Sequence, residues 1–258
     1  MPENDLRLLT EAAQRAAEVA TTYIGGALDV RTKEHDQTPV TDADLAVNTV
    51  LEEVLRGARP DYGWLSEESA DDPDRLSTPA TFIVDPIDGT RAFIDGQDAW
   101  AHALAVVVNG EVTAAVVYLP MLDKLYTAAR GSGARLNGAP VGIAEYAPEL
   151  DDADVLATKQ NMEPRHWPRG VPGFRRHHRP SLAYRLSLVA EGKFDAMLTF
   201  RPAWEWDIAA GSLILEEAGA KVTDRYGAGL RFNAPVPQHP GVIAAGPAMH
   251  SALLDRLL

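Results

Sequence analysis

Thr81-Phe-Ile-Val-Asp-Pro-Ile-Asp-Gly-Thr-Arg91 is the stretch on which the reading of this chain turns. Four residues, Thr81 to Val84, read as a buried apolar strand, and the strand then runs into Asp85 and Asp88, three positions apart. Folding alone gives no reason to end an apolar strand in two carboxylates. Held rigidly at a strand exit, they suit a hard divalent cation, which takes oxygen ligands. Gly89 and Thr90 follow where a helix can begin, and helix N-termini favour anions. Carboxylates for metal beside amides for phosphate point to metal-assisted hydrolysis of a phosphate ester.

On the N-terminal side, Leu6, Leu9, Ala13, Ala16, Ala17, Ala20 and Ile24 recur at helical spacing and predict a helix over 5–28, capped by Asn4 or Asp5. A turn region over 31–40 carries Lys33 and Pro39, and a second helix is expected from about Asp42 to Leu55, stopped by Gly57 and Pro60. Gly63–Ser69 reads as a short strand entering the acidic pair Glu67-Glu68. On the C-terminal side, 101–108, 111–118 and 124–128 are apolar runs, and Asn109-Gly110 marks a hairpin. Residues 131–151 are rich in Gly, Pro and acids, so we expect a boundary there, giving an N-terminal α+β half (1–145) and a C-terminal half (146–258). In that second half strands at 153–158, 194–199, 220–223 and 241–245 alternate with helices at 181–192, 207–218 and 247–257, the pattern of an α/β layer.

Composition sets the outer limits. A chain of 258 residues that is 46% hydrophobic can bury a full core. A net charge of -13 argues against a nucleic-acid polymer as partner, although bound metal reverses the local field and keeps anionic substrates open. There is no cysteine, which removes disulfides, thiolate metal sites and a cysteine nucleophile and fits a cytoplasmic location. The start, Met1-Pro-Glu-Asn-Asp5, has neither a basic nor an apolar signal region, and no apolar run is long enough to span a membrane.

Each acidic position has a plainer explanation beside the functional one. Asp44 lies three residues after Thr41, as in a capping box. Glu67 and Glu68 can be a solvated strand end, and Asp207, ahead of Ile208-Ala-Ala-Gly211, can be an N-cap. Asp85 and Asp88 have the weakest plain reading because their neighbours are apolar. Jointly the acids are more telling, since each sits at an element junction.

Four motifs in order carry a resemblance: Lys33 with Pro39-Val-Thr-Asp-Ala-Asp44, Leu65-Ser-Glu-Glu68, Val84-Asp-Pro-Ile-Asp-Gly-Thr90 and Trp206-Asp-Ile-Ala-Ala-Gly211. The sequence resembles the inositol monophosphatase superfamily of Mg²⁺-dependent phosphatases. The resemblance implies a layered αβαβα sandwich of mixed α+β and α/β character, a site between the halves, and a homodimer. It implies two or three Mg²⁺ ions, with Mn²⁺ as a substitute and Ca²⁺ or Li⁺ as inhibitors. Carried over position by position, Glu67, Asp85, the Ile87 carbonyl, Asp88 and Asp207 are the implied metal ligands. Thr90, Glu67 and Asp44 would orient and deprotonate the attacking water, the Gly89 and Thr90 amides would hold phosphate, and Lys33 aligns with a lysine near the metals.

For substrate, Gly89-Thr-Arg-Ala-Phe-Ile94, Leu186-Ser-Leu-Val-Ala-Glu-Gly192 and Ala115-Val-Val-Tyr-Leu-Pro120 are similar to CysQ-type 3'(2'),5'-bisphosphate nucleotidases. The expected substrate is 3'-phosphoadenosine 5'-phosphate, with inositol monophosphate and histidinol phosphate as the alternatives. Arg175-Arg-His-His-Arg179, with Ser181 and Arg185, is either a site for a second phosphate or a solvated loop or subunit contact. The nucleotidase pattern Gly-Ser-Ser-Leu-Lys is here Arg179-Pro-Ser-Leu-Ala183, without the lysine, and Trp100 is shared with histidinol phosphatases. Asp88, Gly89, Thr90, Ser181, Arg185 and Asp207 are the expected substrate contacts. Trp204 and Trp206 read as packing residues, with Trp204 or Glu205 also placed to face the substrate. A binding or regulatory protein on the same fold is the competing class. Loss of ligands would favour it, and none is lost.

Overall fold

The computed structural model describes residues 2–33, 38–144 and 148–258. The chain begins with α1 (Pro2–Thr21), passes through a ribbon of β1 (Val30–Thr32) and β2 (Pro39–Thr41), and enters α2 (Asp42–Ala58). Helix α1 stops seven residues short of the expected end, before Gly25 and Gly26, which lie in a turn with Gly25 at φ 76°. Thr41 caps α2 through its side chain, and Asp44 returns the bond in a full capping box.

Next comes a seven-stranded sheet in chain order: β3 (Gly63–Ser66), β4 (Thr81–Asp88), β5 (Ala101–Val108), β6 (Glu111–Leu119), β7 (Lys124–Ala129), β8 (Ala134–Leu136) and β9 (Ala139–Val141). Only β3 and β4 run parallel. The short α3 (Thr90–Ile94) sits between β4 and β5. Asn109 and Gly110, both at positive φ, turn β5 into β6 as the Asn-Gly signal predicts.

The second sheet is built from β10 (Asp154–Leu156), β11 (Arg175–His177), β12 (Ala196–Thr199), β14 (Lys221–Thr223) and β16 (Val242–Ala245), in the order β11-β10-β12-β16-β14. β13 (Ala203–Trp204) and β15 (Gln238–His239) form a separate ribbon. Helices α4 (Leu182–Ala190), α5 (Glu205–Glu217) and α6 (Pro247–Leu257) complete the set. Arg175–His177, expected as a basic loop, is an edge strand.

Three apolar layers show how these elements stack. Leu9, Ala13 and Ala16 of α1 and Val47 and Leu51 of α2 pack with Phe82, Val84, Leu104 and Val116 on one face of the first sheet. Ile83, Ala103, Ala105 and Val117 on its other face meet Leu186 of α4, Leu213 and Ile214 of α5, and Leu156, Met197 and Ala244 of the second sheet. The outer face of that sheet, through Val155, Leu198 and Ile243, is covered by Met249 and Leu253 of α6. The order is therefore helix, sheet, helix, sheet, helix, a mixed α+β fold in which the middle layer is shared by both sheets. Gly211 sits at the α4–α5 crossing, where an added Cβ would lie 2.6 Å from Leu186 Cδ1. The expected boundary at 145/146 lies outside the described residues. No helix among the described residues is long and apolar enough to cross a membrane.

Candidate active site

Strand β4 delivers its two aspartates by a local irregularity. Phe82 and Val84 face the α1–α2 side, and Ile83 faces the α4–α5 side. Strict alternation would send Asp85 and Asp88 to opposite faces. Pairing instead shifts: Asp85 is opposite Ala103 and Asp88 opposite Ala101, so Pro86 and Ile87 together oppose the single residue His102. This β-bulge carries Ile87 back to the α1–α2 side and leaves Asp85 and Asp88 on one face. Pro86 suits the bulge because it has no N–H to pair.

Around that exit the chain gathers acids from just past β3, from β4 and from α5. Carboxylate oxygens of Glu67 (after β3), Asp85 and Asp207 (α5) lie within 4.8 Å of one another. Asp88 lines the same cavity, and its Oδ2 accepts from Ser181 Oγ and the Ala183 amide, both at 2.6 Å. Ser181, expected to touch substrate, is fully buried, and its hydroxyl also accepts from the Tyr184 amide as the cap of α4. It orients Asp88 and does not line the cavity.

The electrostatics of this cluster call for a cation. Burial, then the charges of Glu67, Asp88 and Asp207, pushes Asp85 well above the usual carboxylate range. Asp207 is raised well above it by burial and by Asp88 and Glu67. Asp88 is raised by burial against the opposing bonds from Ser181 and Ala183. Asp85 Oδ1 is buried with no hydrogen-bond partner, which is costly unless something else satisfies it. A set of oxygen-only donors with one orphaned atom fits a hard divalent ion such as Mg²⁺. Lys33 supplies part of the balance: its Nζ donates to Glu67 Oε1 and Glu68 Oε1, each at 2.7 Å. Burial lowers the lysine pKa, but the two glutamates outweigh it and raise it. Glu68 is pushed up to about 7 by burial and by Glu67, against Lys33.

Asp44 makes the cap bonds and also reaches Thr90. Its Oδ2 accepts from the Thr41 amide at 2.8 Å and the Thr41 hydroxyl at 2.6 Å, the capping-box bonds. Its Oδ1 lies 3.3 Å from the Thr90 hydroxyl. The same hydroxyl is 3.3 Å from the Ile87 carbonyl, and its single proton serves one acceptor at a time. Gly89 holds φ 103°, a left-handed conformation that glycine adopts without strain, and turns the chain so that Thr90 opens α3.

Glu67, Asp85, Asp88 and Asp207 form the acidic side of one cavity of about 880 Å³ between the two sheets' loops, which Gly89 and Thr90 also line, while Asp44 lies behind Thr90 and outside the lining. The basic side is formed by His178, Arg179, Arg185 and Arg201. Arg185 is buried, and its guanidinium donates to the carbonyls of Arg179 and Pro180. Burial lowers it to about 10. Arg175 lies outside the cavity, paired with Asp154 at 2.8 Å, and His177 bonds the same aspartate. Trp204 and Trp206 stack at 4.8 Å and 10° and also line the cavity. Glu205 does not face it: it is fully buried and accepts from the Asn233 and Ala234 amides. Trp100 packs edge-on to Phe93 beneath α3. Sequence reasoning missed Arg201, whose one signal is a basic residue just ahead of the acidic Trp-Glu-Trp-Asp run.

Comparison with known proteins agrees with this geometry. The model of the inositol monophosphatase family matches residues 1–257. An inositol-1-monophosphatase of Rhizobium meliloti (strain 1021) is 38% identical over 201 residues, 74% of this chain and 73% of that protein. A histidinol-phosphatase of Mycobacterium tuberculosis (strain ATCC 25618 / H37Rv) is 34% identical, covering 100% of this chain and 99% of that one. Among solved structures, an IMPase of Thermotoga maritima superposes with a TM-score of 0.83 at 27% identity, over 100% of this chain and 97% of that one.

Proposed function

The chain belongs to the inositol monophosphatase family and is a phosphatase of small phosphorylated metabolites, and from that premise we propose how its own residues do the work and on which ester. Glu67, Asp85, Asp207, Asp88 and the Ile87 carbonyl would hold the divalent metal. Bound there, it supplies charge stabilisation for the phosphoryl group and lowers the pKa of nearby water. Thr90 donates its proton to Asp44, which leaves its oxygen lone pairs to accept a hydrogen bond from the attacking water. Glu67 sits on the same side and helps orient that water. Water attacks phosphorus in line, its proton passing to Thr90 Oγ as the Thr90 proton passes to Asp44; the new P–O bond forms, and the ester P–O bond breaks with its electron pair leaving on the alcohol oxygen, which takes a proton from solvent. Lys33 keeps Glu67 in place throughout. With this go two or three Mg²⁺ ions, replacement by Mn²⁺, inhibition by Ca²⁺ or Li⁺ and a homodimer, all expectations from the family resemblance, and a cytoplasmic location, the expectation from the absence of cysteine.

The substrate we propose is a phosphate ester with a second anionic group, best met by 3'-phosphoadenosine 5'-phosphate. One observation carries this reading: the cavity pairs its acidic side with a wall of Arg179, Arg185 and Arg201, in a chain of net charge -13, and burial with these arginines keeps the neighbouring His178 neutral. Among the described residues Arg201 is exposed and makes no hydrogen bond or ion pair within the chain. The stacked indoles of Trp204 and Trp206 offer a flat surface for a base. Histidinol phosphate carries an ammonium that such a wall repels, and inositol phosphate leaves it unused. Those two esters are nonetheless the natural rivals, since relatives bear their names. The test is phosphate release with Mg²⁺ from 3'-phosphoadenosine 5'-phosphate, 3'-AMP, inositol 1-phosphate and histidinol phosphate. A charge-assisted contact of about 1.5–3 kcal/mol predicts roughly 10- to 100-fold higher kcat/KM for the bisphosphate than for 3'-AMP. Arg201→Met will shrink that ratio. Preference for either rival ester would overturn the substrate reading and leave the phosphatase intact.

A further inference from the structure

His102 is fully buried on β5, opposite the bulge, on the α1–α2 side of the sheet and away from the cavity. Its Nδ1 lies 2.5 Å from the Pro86 carbonyl, so Nδ1 carries the hydrogen and donates. Its Nε2 is buried without a partner. Packing gives no reason for such a ring, because an apolar side chain of similar size would avoid the orphaned nitrogen. The Nδ1 donor is what the site gains. Pro86 and Ile87 are the two bulged residues, and it is the bulge that puts Asp85 and Asp88 on one face. Trp100, edge-on to the imidazole with centroids 5.4 Å apart, keeps the ring in place.

Resting on the reading of this site as a metal centre, we propose that His102 is a positioning residue for the metal ligands, acting through the Pro86 carbonyl to hold the bulge that aligns Asp85, Ile87 and Asp88. It touches neither substrate nor the reacting atoms. Partners hydrogen-bonded to the ligands themselves typically change metal affinity or activity by 10- to 100-fold when lost, and His102 acts through the peptide between two ligands, so the lower end of that range is expected.

The test measures metal binding without substrate, by Mn²⁺ electron paramagnetic resonance and Mg²⁺ calorimetry on chelator-treated protein. His102→Phe and His102→Leu remove the donor and keep apolar bulk. His102→Asn restores a donor where Nδ1 stood. We expect Mn²⁺ and Mg²⁺ affinity to fall at least about 10-fold in both apolar variants and to recover to within about 3-fold of the parent in His102→Asn. Thermal unfolding identifies which variants are folded, and either apolar variant suffices for the comparison. Unchanged affinity in a folded apolar variant overturns the proposal. So does an Asn variant as weak as the apolar ones, which would assign the effect to ring packing. A parent protein that binds neither ion would overturn the metal-centre reading itself.

Discussion

Asp85→Asn will make the metal-free protein more stable and the Mg²⁺-treated protein less stable than the parent. Asp85 is buried, and carboxylate oxygens of Glu67 and Asp207 lie within 4.8 Å of its own. At an effective dielectric of about 20, two unit charges at that distance repel by about 3.5 kcal/mol. The carboxyl escapes part of this by taking a proton, and that sets a ceiling. From an ordinary value of 3.8, the cost of keeping it at pH 7 is at most about 4.4 kcal/mol, at about 1.36 per pH unit. Burying an unpartnered amide takes back about 1–3 kcal/mol. The net gain in chelator is therefore about 1–3 kcal/mol, or roughly 3–10 °C in Tm for a chain of this size. Saturating metal reverses the order, since ligand at a thousandfold its Kd adds about 4.1 kcal/mol to the parent and little to the variant. The assay is thermal unfolding of both proteins at pH 7, with chelator and with Mg²⁺. At pH 5 the ceiling drops to about 1.6 kcal/mol, so the advantage in chelator must shrink there. An Asn variant less stable in chelator, or one that Mg²⁺ stabilises as much as the parent, would refute the repulsion argument.

Three further outcomes follow from the same geometry. Thr90→Ala will lower kcat by about 100-fold or more while KM and the Mg²⁺ requirement stay near the parent's, because it removes a proton-handling hydroxyl and no metal ligand; steady-state kinetics check this. Gly211→Ala will destabilise by about 1–3 kcal/mol in denaturant unfolding, since its methyl would meet Leu186 Cβ at 2.7 Å and the α4–α5 crossing must open. His250, buried and with its Nε2 2.9 Å from Thr223 Oγ1, is lowered to about 4 by burial and by Lys221. Between pH of about 6.5 and 4 the unfolded chain binds a proton there that the folded chain does not, so stability falls as pH drops through that window, by up to about 3 kcal/mol. His250→Gln will flatten that slope in chelator, and an unchanged slope would place the titration elsewhere.

The elements were largely legible because their signals are local. Thr41 with Asp44 marks a helix start, Asn109-Gly110 a hairpin, and the Leu/Ala spacing of residues 6–20 an amphipathic face. The acids of the cavity were legible too, since a carboxylate at an apolar strand end has few structural excuses. What the sequence concealed depends on register and on contacts between distant segments. No periodicity reveals that Pro86 and Ile87 share one partner, and without that shift Asp85 and Asp88 would diverge. Ser181 read as a substrate contact because its neighbours are basic, yet its hydroxyl reaches back 93 positions to Asp88. The run Arg175–Arg179 looked like one patch, but strand alternation and Asp154 divide it, sending Arg175 to an edge pair and leaving His178 and Arg179 at the cavity. Arg201 joins them only because the loop between β12 and β13 folds over the same opening.

We expect this acidic cavity to hydrolyse a phosphate ester only with a divalent metal in place. Titrating Mg²⁺ into chelator-treated enzyme while phosphate release from 3'-phosphoadenosine 5'-phosphate, inositol 1-phosphate and histidinol phosphate is followed tests it directly. The expected result is no release without metal, a saturable rise with Mg²⁺ for at least one ester, and loss of that rise in Asp85→Asn. Release that is indifferent to Mg²⁺, or that survives intact in Asp85→Asn, would contradict it.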